Sequence, residues 1–252
     1  MSGHSKWHNI KLKKGKADAQ RGALFSKLSK EIILAAKGGS SDPEANYRLK
    51  MAVEKARENN MPADTIKRAI ARAGGGADEK DIEEIRYEGY GPDGIAVVVD
   101  AATDNRNRTA SELRFLFTRN EGNLGETGSV GWMFESRGFL EVQTGSLTED
   151  ELTEKVLAAG EGVVDVRYGS DVSEIITDDV ALGKVREALV AGGLRITGAF
   201  AGVEPKQPIR PEGQALRKML AFLDSLEEHE DVQHVYSNVV LDDAQIEALA
   251  RA

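Results

Sequence analysis

Lysine and arginine side chains are concentrated at the start of the chain, where they could bind the phosphates of a nucleic acid. The first 30 residues hold eight Lys or Arg against a single acidic residue, Asp18. A lysine ammonium is a compact charge on a long flexible stem, which suits it to contact phosphate oxygens. This composition predicts a polyanionic partner for the N-terminal segment.

The charge is divided unevenly between this end of the chain and the rest. Residues 1–72 contain 16 Lys or Arg and 7 Asp or Glu, a net charge of +9, whereas residues 73–252 contain 17 and 35, a net charge of −18. The overall charge of −9 therefore conceals a basic module on an acidic body. A solvated basic helix face without a partner is the alternative interpretation, but the concentration near one end favours nucleic acid.

A second basic segment, Asp104–Thr109, joins a predicted strand to a predicted helix. Asn105 can cap that helix, and Arg106 and Arg108 would then project near its positive end, where an anion is favoured. A capped helix with exposed arginines is an equally good interpretation. With these two arginines, the predicted nucleic-acid contacts are Lys6, Trp7, Lys11, Lys13, Lys14, Lys16, Arg21, Lys27, Arg106 and Arg108.

The aromatic member of this set, Trp7, allows two interpretations. It could stack on an unpaired base, or it could fold back and anchor the basic arm to the helices that follow. The sequence shows no helix with the arrangement of Arg, Asn and Gln that distinguishes base edges. It therefore predicts affinity for nucleic acid without base specificity.

Other kinds of chemistry find little support in the residue types. The chain has no cysteine, which excludes disulfides and thiolate chemistry. His4 and His8 have a ligand-like spacing without a third ligand, and His229 and His234 are expected at the surface. The string Gly89–Gly94 fits the GxGxxG pattern, but a strand should follow it instead of a helix, so it predicts a turn. We expect no enzyme activity, and no cofactor, metal or small-molecule substrate.

The remaining bulk properties predict a cytoplasmic protein, which we expect to be a monomer. The sequence contains no run of about 18 apolar residues that could span a membrane. The basic N-terminus is not followed by the apolar segment of a secretory signal. The lack of cysteine fits a reducing compartment.

Three helices are the first elements that must position the basic residues. Apolar residues recur at four-residue spacing between Ala17 and Gly38, which predicts the first helix. Asp42 and Pro43 have the chemistry of an N-cap and a first helical residue, so they predict the start of the second. Pro62 opens the third. The triglycine at 74–76 predicts a linker that would let this bundle reorient.

After the linker the pattern changes to strands. Residues 85–90 and 95–101 are rich in Ile, Val and Tyr and flank a turn, which predicts a pair of strands. A helix is predicted at 106–120, and a further strand runs through Trp132–Phe134.

From residue 139 to residue 203 the predicted order is β-α-β-β-α-β, the ferredoxin-like arrangement. Thr148 and Glu151 predict a capping box at its first helix. A proline-rich connector, a long helix, a strand over Val232–Val240 and a short helix capped by Asp242 complete the chain.

These elements predict an α+β fold with an N-terminal three-helix domain followed by two α/β domains, the second inserted into the first. The predicted bounds are 1–79 for the basic arm and helical bundle, 80–136 and 204–252 for the discontinuous α/β domain, and 137–203 for the inserted ferredoxin-like domain.

Distinctive motifs are spread over nearly the whole chain, at Gly3-His4-Ser5-Lys6-Trp7, Phe25-Ser26-Lys27-Leu28, Asn60-Met61-Pro62, Tyr87–Pro92, Thr103–Thr109 and Gly125–Phe134. In these motifs the sequence resembles the YebC/PmpR family. Members often have alanine at the position of His8, which argues against a special role for that residue. No catalytic residues are assigned to the family.

The resemblance implies a three-domain cytoplasmic protein that regulates gene expression by binding nucleic acid. Members are described as probable transcriptional regulators that bind DNA, which makes a DNA-binding regulator the first hypothesis. Relatives also act as translational activators at the ribosome. The alternative is therefore a ribosome-associated translation factor that binds structured RNA, with the acidic body facing basic ribosomal proteins.

Overall fold

The computed structural model of the protein describes residues 18–74, 81–169, 171–241 and 245. The basic arm, most of the triglycine linker and the predicted helix at Asp242 lie outside these residues. None of the described helices is long and apolar enough to cross a membrane. Residues 134–204 form one compact unit, and the described residues on either side of that segment form a second.

The secondary structure alternates between helices and strands after an all-helical start. The helices are α1 (Asp18–Lys37), α2 (Tyr47–Glu58), α3 (Ala63–Arg72), α4 (Arg106–Arg119), α5 (Glu149–Ala158), α6 (Leu182–Ala191) and α7 (Gly213–Glu227). The strands are β1 (Glu83–Tyr90), β2 (Ala96–Thr103), β3 (Asn123–Leu124), β4 (Phe134–Gln143), β5 (Val163–Arg167), β6 (Val172–Asp178), β7 (Ile196–Pro205) and β8 (Val232–Ser237). Short 3₁₀ helices cover Pro92–Gly94, Gly131–Met133 and Asp179–Ala181.

Helices α1, α2 and α3 form the predicted three-helix bundle. The four-residue spacing of Leu28 and Ile32 places both side chains on one face of α1, where they are buried with Leu49, Val53 and Ile66. The same buried cluster continues into strand β2, so the bundle packs directly against the first sheet.

The start of α2 was predicted wrongly at Asp42 and Pro43. The N-cap is Asn46, whose side-chain oxygen accepts a hydrogen bond from the Leu49 amide at 3.1 Å. Its amide group also donates to the carbonyl of Ala35 at 2.8 Å, at the end of α1. Asp42 instead accepts a hydrogen bond from the Glu44 amide within a turn. Asn46 is the N-cap because its side chain forms hydrogen bonds with backbone groups of both α2 and α1.

The first sheet has the strand order β3-β1-β2-β8, and its central strand β2 is buried on both faces. Alternate residues Val97 and Val99 face a core that contains Phe117 of α4 and Phe222 of α7. These two rings meet edge to face with centroids 4.9 Å apart. Ala102 belongs to the cluster shared with the helical bundle. Because β2 serves two cores, its sequence is a nearly continuous apolar run.

The strand predicted through Trp132–Phe134 was wrong in its position. Trp132 and Met133 lie in a 3₁₀ helix, and Phe134 begins β4, which continues without a break through the strand predicted at 139–143. The place beside β1 is taken by the two-residue strand β3, which pairs with Gly89 and Tyr90. A strand of two residues gives too little alternation to be recognised in a sequence.

The compact unit of residues 134–204 has the predicted ferredoxin-like order β4-α5-β5-β6-α6-β7, and its strands lie in the order β5-β6-β4-β7. Its core contains Leu140 and Ile175 from the sheet and Leu152 and Val185 from the helices. The predicted capping box of Thr148 and Glu151 is present at the start of α5. The predicted α+β class is thereby confirmed, while the three-domain bounds stay a prediction.

The role of Asn46 can be tested by substitution. Asn46→Ala should destabilise the protein by about 1 to 2 kcal/mol, because it removes the N-cap of α2 and a hydrogen bond to α1. Asp42→Ala is the matched control and should cost less than about 0.5 kcal/mol. Urea unfolding followed by circular dichroism measures both values. Equal effects of the two substitutions would contradict this assignment of the N-cap.

Candidate nucleic-acid interface

Most of the predicted nucleic-acid contacts lie in the basic arm, outside the described residues. These are Lys6, Trp7, Lys11, Lys13, Lys14 and Lys16. Arg21 lies near the start of α1. The predicted roles of all seven residues stay predictions.

Lys27 forms a bond within the protein that the sequence did not suggest. Its ammonium donates a hydrogen bond to the carbonyl of Glu227, and Lys30 donates to the carbonyl of Glu230 at 3.1 Å. Helix α7 ends at Glu227, where its carbonyls carry the negative end of the helix dipole. Burial lowers the pKa of Lys27 to about 8. The i, i+3 spacing of the two lysines places them on one face of α1, but it does not distinguish a buried face from a solvated one.

The centre of this region is the carboxylate of Asp231, whose side chain is fully buried. It accepts hydrogen bonds from the hydroxyl of Thr109 at 2.6 Å, from the guanidinium of Arg108 at 3.0 Å and from the ammonium of Lys30. Burial alone would raise the pKa of Asp231, but these hydrogen bonds lower it to about 2. Asp231 is therefore ionised at neutral pH and balances the lysine and arginine charges around it.

The segment 104–109 has the predicted cap, and its two arginines differ in their surroundings. The side chain of Asn105 accepts a hydrogen bond from the Arg108 amide at 3.2 Å, so it caps α4 as predicted. Arg108 also contacts Asp104 at 3.4 Å, in addition to Asp231. The anion at this helix start is thus a carboxylate of the chain itself. Arg106 is exposed and makes no ion pair within the described part of the chain.

His229 joins the same network. Its Nδ1 accepts a hydrogen bond from the Asp231 amide at 3.1 Å, and its Nε2 lies 2.9 Å from a carboxylate oxygen of Glu112. These three residues lie close enough to share a metal ion. The protein's own donors already engage the oxygens of Asp231, so the geometry favours a hydrogen-bond network. The expectation that His229 and His234 lie at the surface was wrong, since both are partly buried.

The helical bundle has basic side chains with and without acidic partners. The ion pairs on its surface are Lys37 with Asp81, Arg48 with Glu84, Lys50 with Glu44, and Lys55 with Glu31. Arg57 and Lys67 are exposed and form no ion pair with any described residue. Arg68 is also exposed, and it bonds only to uncharged oxygens of its own helix. These three cations leave positive charge on α2 and α3 available to a polyanion.

Comparisons with known proteins cover almost the entire chain. The family model described as TACO1/YebC protein N-terminal domain matches residues 5–76. The model described as TACO1/YebC second and third domain matches residues 82–239.

Individual proteins of known sequence and structure also match nearly the whole chain. A probable transcriptional regulatory protein from Natranaerobius thermophilus is 48% identical over 250 residues, which is 98% of this chain and 99% of that one. One from Pelotomaculum thermopropionicum is 47% identical over 96% of this chain and 100% of its own length. The crystal structure of a conserved hypothetical protein from Aquifex aeolicus superposes with a TM-score of 0.82 at 42% identity, and it covers 90% of this chain and 94% of that one.

Removing the charge of Asp231 should release the contacts around it. Asp231→Asn should destabilise the protein by about 3 kcal/mol at pH 7, because Lys30 and Arg108 lose a buried counter-ion. The folded-state pKa of about 2 lies below the ordinary value of 3.8, so this contribution is complete above pH 3.8 and is lost as the pH falls towards 2. The difference in unfolding free energy between the wild type and the variant should shrink across that range.

The matched control is Glu84→Gln, which removes the exposed partner of Arg48. Surface pairs of this kind contribute less than about 1 kcal/mol. Urea titrations at several pH values measure both variants. A cost for Asp231→Asn as small as that of the control, or one that persists unchanged at pH 2, would contradict the assignment.

Proposed function

The chain belongs to the TACO1/YebC family, a non-enzymatic family, and we propose that it is a cytoplasmic regulator of gene expression that binds DNA. The resemblance noted from the sequence motifs is confirmed. The relatives from Natranaerobius thermophilus and Pelotomaculum thermopropionicum are both named probable transcriptional regulatory proteins, which supports DNA as the polyanion.

The observation that carries this proposal is the charge of +9 on residues 1–72 within a chain of net charge −9. A protein with a net negative charge binds nucleic acid only through a concentrated basic surface, because contacts to the phosphate backbone supply most of the affinity. Three exposed cations of the bundle, Arg57, Lys67 and Arg68, add to the lysines of the arm. The acidic remainder limits binding of DNA to the other surfaces.

The basic residues divide into two groups with different tasks. In this proposal the arm lysines and exposed Arg106 contact phosphates, since nothing described neutralises Arg106. Lys27, Lys30 and Arg108 bond to α7 and to Asp231, and they fix α1 and α4 in place. The arm therefore precedes a helix that is held by the ion pair of Lys30 with buried Asp231 and by the bond of Lys27 to the end of α7.

A second candidate function is a ribosome-associated translation factor. The charge of −18 on residues 73–252 favours it, because ribosomal proteins are mostly basic and would complement an acidic body. In that case the arm would contact ribosomal RNA through the same phosphate chemistry.

The phosphate contacts of the arm can be counted from the salt dependence of binding. Each contact contributes about −0.9 to the slope of log affinity against log salt on duplex DNA. Replacing Lys11, Lys13 and Lys14 by Ala should therefore flatten the slope by about 2.7. Fluorescence anisotropy of a labelled duplex over a range of salt concentrations gives the slope directly.

The control is a triple variant of the acidic body in which Lys155, Lys184 and Lys218 become Ala. It has the same net charge as the arm variant, so a general charge effect would change both slopes equally. A slope unchanged in the arm variant would overturn the proposal that the arm binds phosphates.

A competition between targets separates the two candidate functions. Binding to a pool of promoter duplexes, to random duplexes and to purified ribosomes is measured at about physiological salt. A DNA-binding regulator should bind the promoter duplexes more tightly than it binds ribosomes. If both duplex pools bind alike and ribosomes bind far more tightly, the DNA-binding proposal is wrong and the ribosome-associated translation factor is the better assignment.

A further inference from the structure

An exposed tryptophan lies far along the sequence from the basic arm. The side chain of Trp132 is 67% exposed, although tryptophan buries more apolar surface than any other residue. Its indole Nε1 donates a hydrogen bond to the carbonyl of Ser129 at 3.2 Å. The hydroxyl of Tyr90, 37% exposed, donates to the same carbonyl at 3.1 Å. Two exposed aromatic rings are thus anchored to one backbone oxygen.

The loop that carries Trp132 is held by a buried carboxylate. Glu88 accepts backbone hydrogen bonds from Gly128 at 2.9 Å, Val130 at 2.9 Å and Gly131 at 2.6 Å. Burial alone would raise the pKa of Glu88, but these amides lower it, so it is ionised at neutral pH. The loop is therefore ordered before any ligand arrives, which reduces the entropic cost of binding.

Two glycines make this arrangement possible. Gly128 has φ of 89°, a left-handed conformation that favours glycine. A Cβ on Gly131 would lie 3.1 Å from the carboxylate of Glu88 and crowd the bond to it. Larger residues at these two positions would pull the loop off the carboxylate.

A cation is bonded to the backbone that carries the exposed ring. The ammonium of Lys206, an exposed residue, donates to the carbonyl of Trp132 at 3.0 Å, and its backbone amide donates to the carbonyl of Met133 at 2.9 Å. Aromatic faces next to a lysine are the elements with which proteins bind single-stranded nucleic acid. The base stacks on the ring and the phosphate meets the ammonium.

We propose that Trp132, Tyr90 and Lys206 form a platform for an unpaired nucleobase of single-stranded RNA or DNA. The inference rests on the proposed nucleic-acid binding and adds a second contact to it, with a different chemistry. The arm attracts any phosphate backbone, whereas the platform accepts only a base with a free face. A base inside a duplex is already stacked on both faces and cannot occupy it.

Intrinsic fluorescence isolates this site because the chain has two tryptophans, Trp7 and Trp132. Full-length protein with Trp7→Phe has Trp132 as its sole tryptophan, and all comparisons are made in that background. Single-stranded adenine 12-mers of RNA and DNA, and a 12-base-pair DNA duplex, are titrated into it. Anisotropy of the labelled oligonucleotides is recorded in parallel.

The single strands should quench Trp132, and the duplex should leave its emission unchanged even where anisotropy shows that the duplex is bound. Adding Trp132→Leu should weaken single-strand binding by at least about fivefold and leave duplex binding unchanged. Lys206→Ala should also weaken single-strand binding. Phe115→Leu, which removes another exposed aromatic at 62% exposure, is the matched control and should change neither.

The results distinguish this inference from the function on which it rests. Binding seen by anisotropy without quenching of Trp132, or equal affinities of the Trp132→Leu and Phe115→Leu variants for the single strands, overturns the platform alone. Equal quenching by the duplex overturns it too. If no oligonucleotide binds by anisotropy, both the platform and the proposed nucleic-acid binding are wrong.

Discussion

The buried carboxylate of Asp231 is the interaction on which the arrangement of the N-terminal bundle depends. A buried charge is tolerated only when donors surround it, and here the donors come from α1 and α4 while the carboxylate stands just before β8. Lys30 and Asp231 are 201 residues apart in sequence. The bond therefore closes the chain on itself and restrains the reorientation that the triglycine linker suggests.

Two buried carboxylates, both outside residues 134–204, are satisfied by fixed donors of different kinds. Asp231 is held by charged side chains and a hydroxyl, whereas Glu88 is held by backbone amides of one loop. Asp231 pairs with cations that a charge count would assign to a nucleic acid. Glu88 pairs with no cation among the described residues, and it orders a loop with an exposed aromatic ring. Both carboxylates are ionised at neutral pH, and both fix the positions of neighbouring groups.

The distinction between occupied and available cations changes the meaning of the basic composition. Lys27, Lys30 and Arg108 have partners within the chain, while Arg57, Lys67 and Arg106 are exposed without described ion pairs. Affinity for a polyanion depends on the second group, since a cation already paired with a carboxylate releases few counter-ions. The geometry thus separates residues that hold the bundle from residues that face solvent, although both kinds occur in the same basic stretch.

The sequence alone determined the α+β class, the three-helix bundle, the ferredoxin-like order and the capping box of Thr148 and Glu151. These features are encoded locally, in apolar periodicity and in the chemistry of residues three or four positions apart. Tertiary structure decided that Asn46 caps α2 ahead of Asp42, that β3 lies beside β1, and that Lys30 and Arg108 meet Asp231. These outcomes depend on partners outside the local pattern, from Ala35 for Asn46, 11 residues away, to Asp231 for Lys30, 201 residues away. No local pattern distinguishes a lysine that will be buried against a carboxylate from one that stays in water.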